Sequence, residues 1–133
     1  LSVELRHSSW FEGPTILPAL TEYLHKKNVG LVITDVAGRR DVLHTSLSTD
    51  WSMIRLIGNK LVQSDQERLA DWGKRLEKWS SLGVNDQYLF LHQPDDILTV
   101  EFAQLTKKIL AEYKLPSMNE VHLIKHRDLF NQE

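Results

Sequence analysis

From Ser2 to His7, apolar Val3 and Leu5 alternate with charged Glu4 and Arg6, a period of two that predicts a β-strand. The period then changes. Pro14 suits the first turn of a helix, and Ile16, Leu17, Leu20, Tyr23 and Leu24 follow at helical spacing. Lys26 and Lys27 favour the helix C-terminus through the dipole, and Asn28 is the expected stop. The run from Gly30 to Thr34 reads as a strand buried on both faces. Asp35 to Asp50 is polar and irregular, long for a loop in a compact domain, and such loops are often functional.

Ser52 to Ile57 is a third predicted strand. Ser64-Asp65-Gln66-Glu67 matches a capping box, with Ser64 accepting from a backbone amide and Glu67 reaching back. Leu69, Trp72, Leu76 and Trp79 then mark one face of a helix running to about Ser80, which Gly83 breaks. Gln87 to His92 is a fourth strand. Leu98 to Tyr113 is a third helix, with Phe102, Leu105, Ile109 and Leu110 inward and Pro116 ending it. After Ser117 only Val121 to Ile124 resembles a strand.

Strands alternating with helices imply a parallel sheet covered by helices. Four such strands make a small open sheet or half of an eight-stranded barrel, and a chain already in a strand at its first residues favours the half. The expected fold class is therefore α/β, a parallel (β/α) TIM-barrel-like arrangement present as its C-terminal half. The expected division is a half-barrel over residues 1–115 and a tail over 116–133.

Composition narrows this little. The 133 residues are 41% apolar and 26% charged, an ordinary globular balance, and a net charge of -2 gives no general pull toward polyanions. The absence of cysteine excludes disulfides and thiolate zinc sites. No apolar run is long enough to span a bilayer, and no secretory signal is visible, so no membrane partner and a cytoplasmic location are expected.

The segment Val3-Glu4-Leu5-Arg6-His7-Ser8-Ser9-Trp10-Phe11 resembles the E-[FL]-R-H-x-S-W motif of the DUF72/YecE-like family. Three later segments agree in order and spacing. Val29 to Asp35 is similar to a family strand ending in Asp, Ile54 to Gly58 to its Y-x-R-x-H-G segment, and Tyr88 to Gln93 to a final strand usually ending in F-N-N. Ile57 stands where that family commonly has His, and His92-Gln93 where it has Asn-Asn. The resemblance implies a complete barrel domain of roughly twice this length. It carries no settled activity or cofactor.

Strand parity supplies candidate chemistry independently. If the helix side of each strand is apolar, Glu4, Arg6, Asp35, Arg55 and His92 point into the barrel near its C-terminal rim, where barrel active sites sit. Two arginines there offer planar donors for phosphate or carboxylate, with Trp10 and His92 as further substrate contacts. Glu4, His7 and Asp35 are the candidates for moving protons. The competing reading is a structural network in which Glu4 or Asp35 pairs Arg6 or Arg55, with His7 a loop histidine satisfying backbone groups. A metal site would need His7, His92, Glu4 and Asp35 to converge, without any compact ligand spacing to support it.

Three functions follow as expectations. The first is an enzyme-like barrel binding a phosphorylated or other anionic small molecule at its rim. The second is a metal-dependent, endonuclease-like barrel that processes nucleic acid. The third is a non-catalytic fragment or binding module. A half-barrel exposes two sheet edges and an apolar inner surface, so either the missing N-terminal half or a second copy of the chain is the expected partner.

Overall fold

The computed structural model describes residues 1–84 and 86–118. Its main sheet contains β1 (Ser2–Glu4), β4 (Gly30–Val36), β5 (Trp51–Ile57) and β6 (Asp86–His92), all parallel and ordered β1-β4-β5-β6. A small antiparallel hairpin, β2 (Phe11–Glu12) and β3 (Thr15–Ile16), lies between β1 and the helix α1 (Pro18–Lys26). Helices α2 (Gln63–Ser81) and α3 (Ile97–Leu110) follow β5 and β6. The expected parallel α/β architecture is what the chain adopts. The weak strand expected at 121–124 lies outside the described residues.

Two local expectations are corrected. Pro14 does not open a helix: Gly13, with a φ of 61°, and Pro14 make the turn of the hairpin, and Pro18 occupies the first turn of α1 instead. Ile16, read as a helical position, is a buried strand residue. The capping box is not formed either. α2 starts at Gln63 behind Val62 with no side-chain cap, so Ser64 lies inside the helix. Asp65 takes over the ordering of this end, because it shares the inward stripe of Leu69, Trp72 and Leu76.

Side chains of parallel strands in register point to the same face. Ile33, Ile54 and Leu89 form one row, and Leu56 and Leu91 the next. These rows meet Leu69, Trp72 and Leu76 from α2 and Phe102 and Leu110 from α3 in the main core. A smaller cluster of Ile16, Leu24 and Leu31, with Val3 and Leu5 against it, joins α1 to the other end of the sheet. The alternating burial along β5 follows: Ser52, Ile54 and Leu56 are buried, whereas Met53, Arg55 and Ile57 are only half-buried.

The opposite face bears Glu4, Val32, Met53 and Tyr88 in one row, Thr34, Arg55 and Phe90 in the next, then Val36, Ile57 and His92. Tyr88 is 53% and Phe90 50% exposed there. No helix of the described residues is long and apolar enough to cross a membrane.

Candidate functional site

Glu4 ends β1 and Arg55 sits in the centre of β5, on the same face of the sheet across β4. Arg55 Nη1 donates to Glu4 Oε2 at 2.7 Å, and Arg6 Nε donates to Glu4 Oε1 at 3.0 Å. One carboxylate is thus gripped by two guanidinium groups, one on each oxygen. Burial opposes ionisation of Glu4, but hydrogen bonds from Arg6 and Arg55 and the charge of Arg55 outweigh it and hold the carboxyl below its ordinary value. Glu4 is therefore a carboxylate at neutral pH. Each arginine uses only one of its five N–H donors in this contact. Arg6, at 76% side-chain exposure, and Arg55, at 37%, can present the rest outward.

His92 occupies the same face on the next strand, opposite Ile57 and one row beyond Arg55, with Nδ1 3.8 Å from Asp96. His7 lies just past β1 and caps the short turn Ser8–Trp10: its Nδ1 accepts from the Ser9 backbone amide at 3.2 Å and contacts Ser9 Oγ at 2.8 Å. An accepting Nδ1 places the ring proton of the neutral form on Nε2. Trp10 follows at the end of that turn and is 43% exposed. The structure thus brings Glu4, Arg6 and Arg55 together, with His7 and Trp10 just beyond the end of β1 and His92 at the end of β6.

Asp35 is the exception. It does not point into the open face. It pairs in register with Leu56, on the helix side, and is 2% exposed. Arg68 donates to it through Nη2 at 2.8 Å and Nε at 3.2 Å, Trp72 Nε1 donates at 2.7 Å, and Arg40 adds a further ion pair. Arg68 also reaches the carbonyls of Asp35 and Ile57, tying the ends of β4 and β5 to α2. β4 is apolar on both faces, so alternation within it does not say which side carries the helices.

The loop after β5 is held by a buried clamp that the sequence pattern does not announce. Asp65, fully buried, accepts from the amides of Asn59 (2.7 Å) and Leu61 (3.0 Å), and Gln93, also fully buried, accepts from that of Lys60 (2.9 Å). Gly58 lies against Gln93: a β-carbon there would fall 2.0 Å from Gln93 Nε2. One signal was available, since Asp65 stands in helical register with Leu69, Trp72 and Leu76. Gln93 carried none, because nothing in a strand-end Gln announces a backbone partner 33 residues away. Among the described residues, no three His, Asp or Glu side chains gather as metal ligands.

The sequence model described as "Protein of unknown function DUF72" matches residues 1–122. The chain belongs to the DUF72 family. Two crystal structures of a DUF72 family protein from Enterococcus faecalis V583 share its fold. One, at 16% identity and a TM-score of 0.64, covers 83% of this chain and 48% of its own. The other, at 15% identity and a TM-score of 0.60, covers 92% of this chain and 50% of its own. This DUF72 chain therefore spans about half the length of the solved relatives it matches, and its sheet and helices correspond to half of their barrel-like fold. No curated protein matches it.

Proposed function

We propose that the open face of the sheet carries an anion-binding site for a phosphorylated or carboxylated small molecule. The observation behind this reading is the grip of Arg6 and Arg55 on the two oxygens of Glu4. A carboxylate already sits where a ligand carboxylate or phosphate would be recognised, in the planar donor geometry arginine provides. In this reading Glu4 holds the two guanidinium groups together and yields their donors to the ligand, and its depressed pKa makes it a poor proton carrier near neutrality. His7, exposed and beside the same strand end, is the candidate for moving a proton, and Trp10 and His92 border the ligand. Asp35 has no part, being on the far side of the sheet.

The test is calorimetric titration of the full chain with inorganic phosphate and with a panel of sugar phosphates and small carboxylates. Binding that falls at least about tenfold in Arg55→Ala, in a variant that still unfolds cooperatively at an only slightly lower midpoint, is the expected result. Equal affinity in the wild type and Arg55→Ala would overturn the reading.

The open face also needs a cover. Tyr88 and Phe90 are half exposed on it, and the solved relatives are about twice the length matched here. Both observations support closure by the complementary half of a barrel, or by a second copy of this half.

A further inference from the structure

Two crossovers between neighbouring strands of the main sheet carry a helix, α1 before β4 and α2 before β6. The crossover from β4 to β5 has only a single 3-10 turn, Arg40–Val42. A parallel connection usually lays a helix on the sheet, and without one the flank of α2 faces a loop. Val42 and His44 are buried and fill part of the gap. What remains is a cavity of about 410 Å³, walled by Arg40, Leu43 and Thr45 from the loop and by Arg68, Arg75 and Lys78 from α2. On α2 these positions, with Asp71 and Trp72, recur every three or four residues and so share one side of the helix. The cavity reaches Asp35, on the helix side of the sheet, and is therefore separate from the open face that carries Arg55.

The walls are cationic beyond what their own carboxylates balance. Asp35 holds both Arg40 and Arg68, Arg68 also contacts Asp65, and Asp71 pairs with Lys74 at 3.3 Å. Those groups cancel. Arg75 and Lys78 do not: both are exposed, and neither forms an ion pair among the described residues. Arg75 is placed by the Trp79 ring, 5.9 Å from its centroid. Two unbalanced positive charges thus stand on one wall, with Arg40, 52% exposed, on the other.

We propose that this cavity is a second binding site, for a small ligand bearing two or more linked phosphoryl groups. Its volume is that of a small-molecule site, roughly 300–1,000 Å³. A single phosphoryl group meets one wall, whereas linked groups engage Arg40 on the loop together with Arg75 and Lys78 on α2. Arginine supplies planar paired donors and lysine a point charge, the two modes by which phosphoryl oxygens are held. A nucleic-acid strand fits less well. The aromatic wall, Trp72, is 5% exposed and commits its N–H to Asp35 at 2.7 Å, so no ring face is offered for base stacking.

The experiment titrates the full chain calorimetrically with tripolyphosphate, inorganic phosphate and a short oligothymidylate. Arg55→Ala is the background throughout, so that the open face does not contribute. Tripolyphosphate should bind, and more tightly than either of the others. Lys78→Gln and Arg75→Gln should each weaken it about tenfold, while Lys78→Arg retains it. Lys78→Gln keeps the test sound if loss of the Arg75 contact with Trp79 harms folding. Lys108→Gln, on α3, removes the same charge outside the cavity and should leave tripolyphosphate affinity unchanged. Absence of tripolyphosphate binding overturns the inference, as does wild-type affinity in both Lys78→Gln and Arg75→Gln. Equal weakening by Lys108→Gln reduces the effect to net charge and overturns it too. Tighter binding of the oligothymidylate replaces the small ligand with nucleic acid. None of these outcomes touches the open-face reading, which is tested through Arg55 in the wild-type background.

Discussion

Glu4 and Arg55 meet at 2.7 Å across the width of β4, although 51 residues separate them in sequence. The same carboxylate occupies Arg6, so it competes with any external anion for the donors of both. Glu4→Gln keeps the side-chain shape but removes that charge. Phosphate affinity measured by calorimetry should rise. Stability should fall by only about 1 kcal/mol, because the arginines are open to solvent and screened. The folded pKa of Glu4 lies below its ordinary 4.5. Its contribution is therefore fully present above pH 4.5 and is lost as pH falls through the folded value, a loss that Glu4→Gln should abolish.

Asp35→Asn should behave oppositely. It strips the buried Arg68 of its principal counter-charge, leaving the weaker contact with Asp65 at 3.2 Å. Removing one partner of a buried pair costs about 3 kcal/mol, to be read from urea unfolding. Phosphate affinity should not change, since Asp35 faces α2 and not the open face. A loss of affinity without loss of stability would place Asp35 in the site after all.

His44 is a buried histidine whose Nε2 donates to the Val32 carbonyl at 3.2 Å. Burial lowers its pKa from the ordinary 6.5, and the Val32 contact offsets this only in part. The unfolded chain therefore binds this proton more readily than the native one. Its stabilising contribution is present above pH 6.5 and declines as pH falls toward the folded value. Thermal midpoints measured from pH 7.5 to 5 should fall, and His44→Gln, which keeps a donor but cannot titrate, should flatten that slope.

Gly58→Ala places a methyl group on the Gln93 amide, which the Lys60 contact holds in place. The variant should lose about 2 kcal/mol, the usual cost of overpacking a tight site. Gln93→Ala should cancel much of the steric part in a double-mutant cycle, giving a coupling energy measurable by chemical denaturation.

The 133-residue chain alone should not sediment as a compact monomer. Tyr88 and Phe90 lie half exposed on a face lined by Met53 and Ile57. Sedimentation velocity should show self-association, and Phe90→Glu should shift the chain to monomer. A stable compact wild-type monomer would remove the need for a second half.

Much of this architecture was legible in sequence. The long amphipathic period of Leu69, Trp72, Leu76 and Trp79 placed α2, the apolar runs placed β4 to β6, and β–α alternation implied a parallel sheet. The Glu4-Leu5-Arg6-His7 segment named the family. On β1 and β5, where a charged residue interrupts one face, parity also placed Glu4 and Arg55 together, because alternation is local geometry that no tertiary contact overrides. Tertiary structure decided the rest. Only the register of β4 against β5 sent Asp35 to the helices, since a strand apolar on both sides does not declare its faces. Only the packing of α2 turned Asp65 from a helix-start residue into a buried clamp. Only the meeting of two strand ends brought Gln93 under Lys60. Each depends on contacts between distant segments, and a side chain's type does not reveal which distant backbone group it will find.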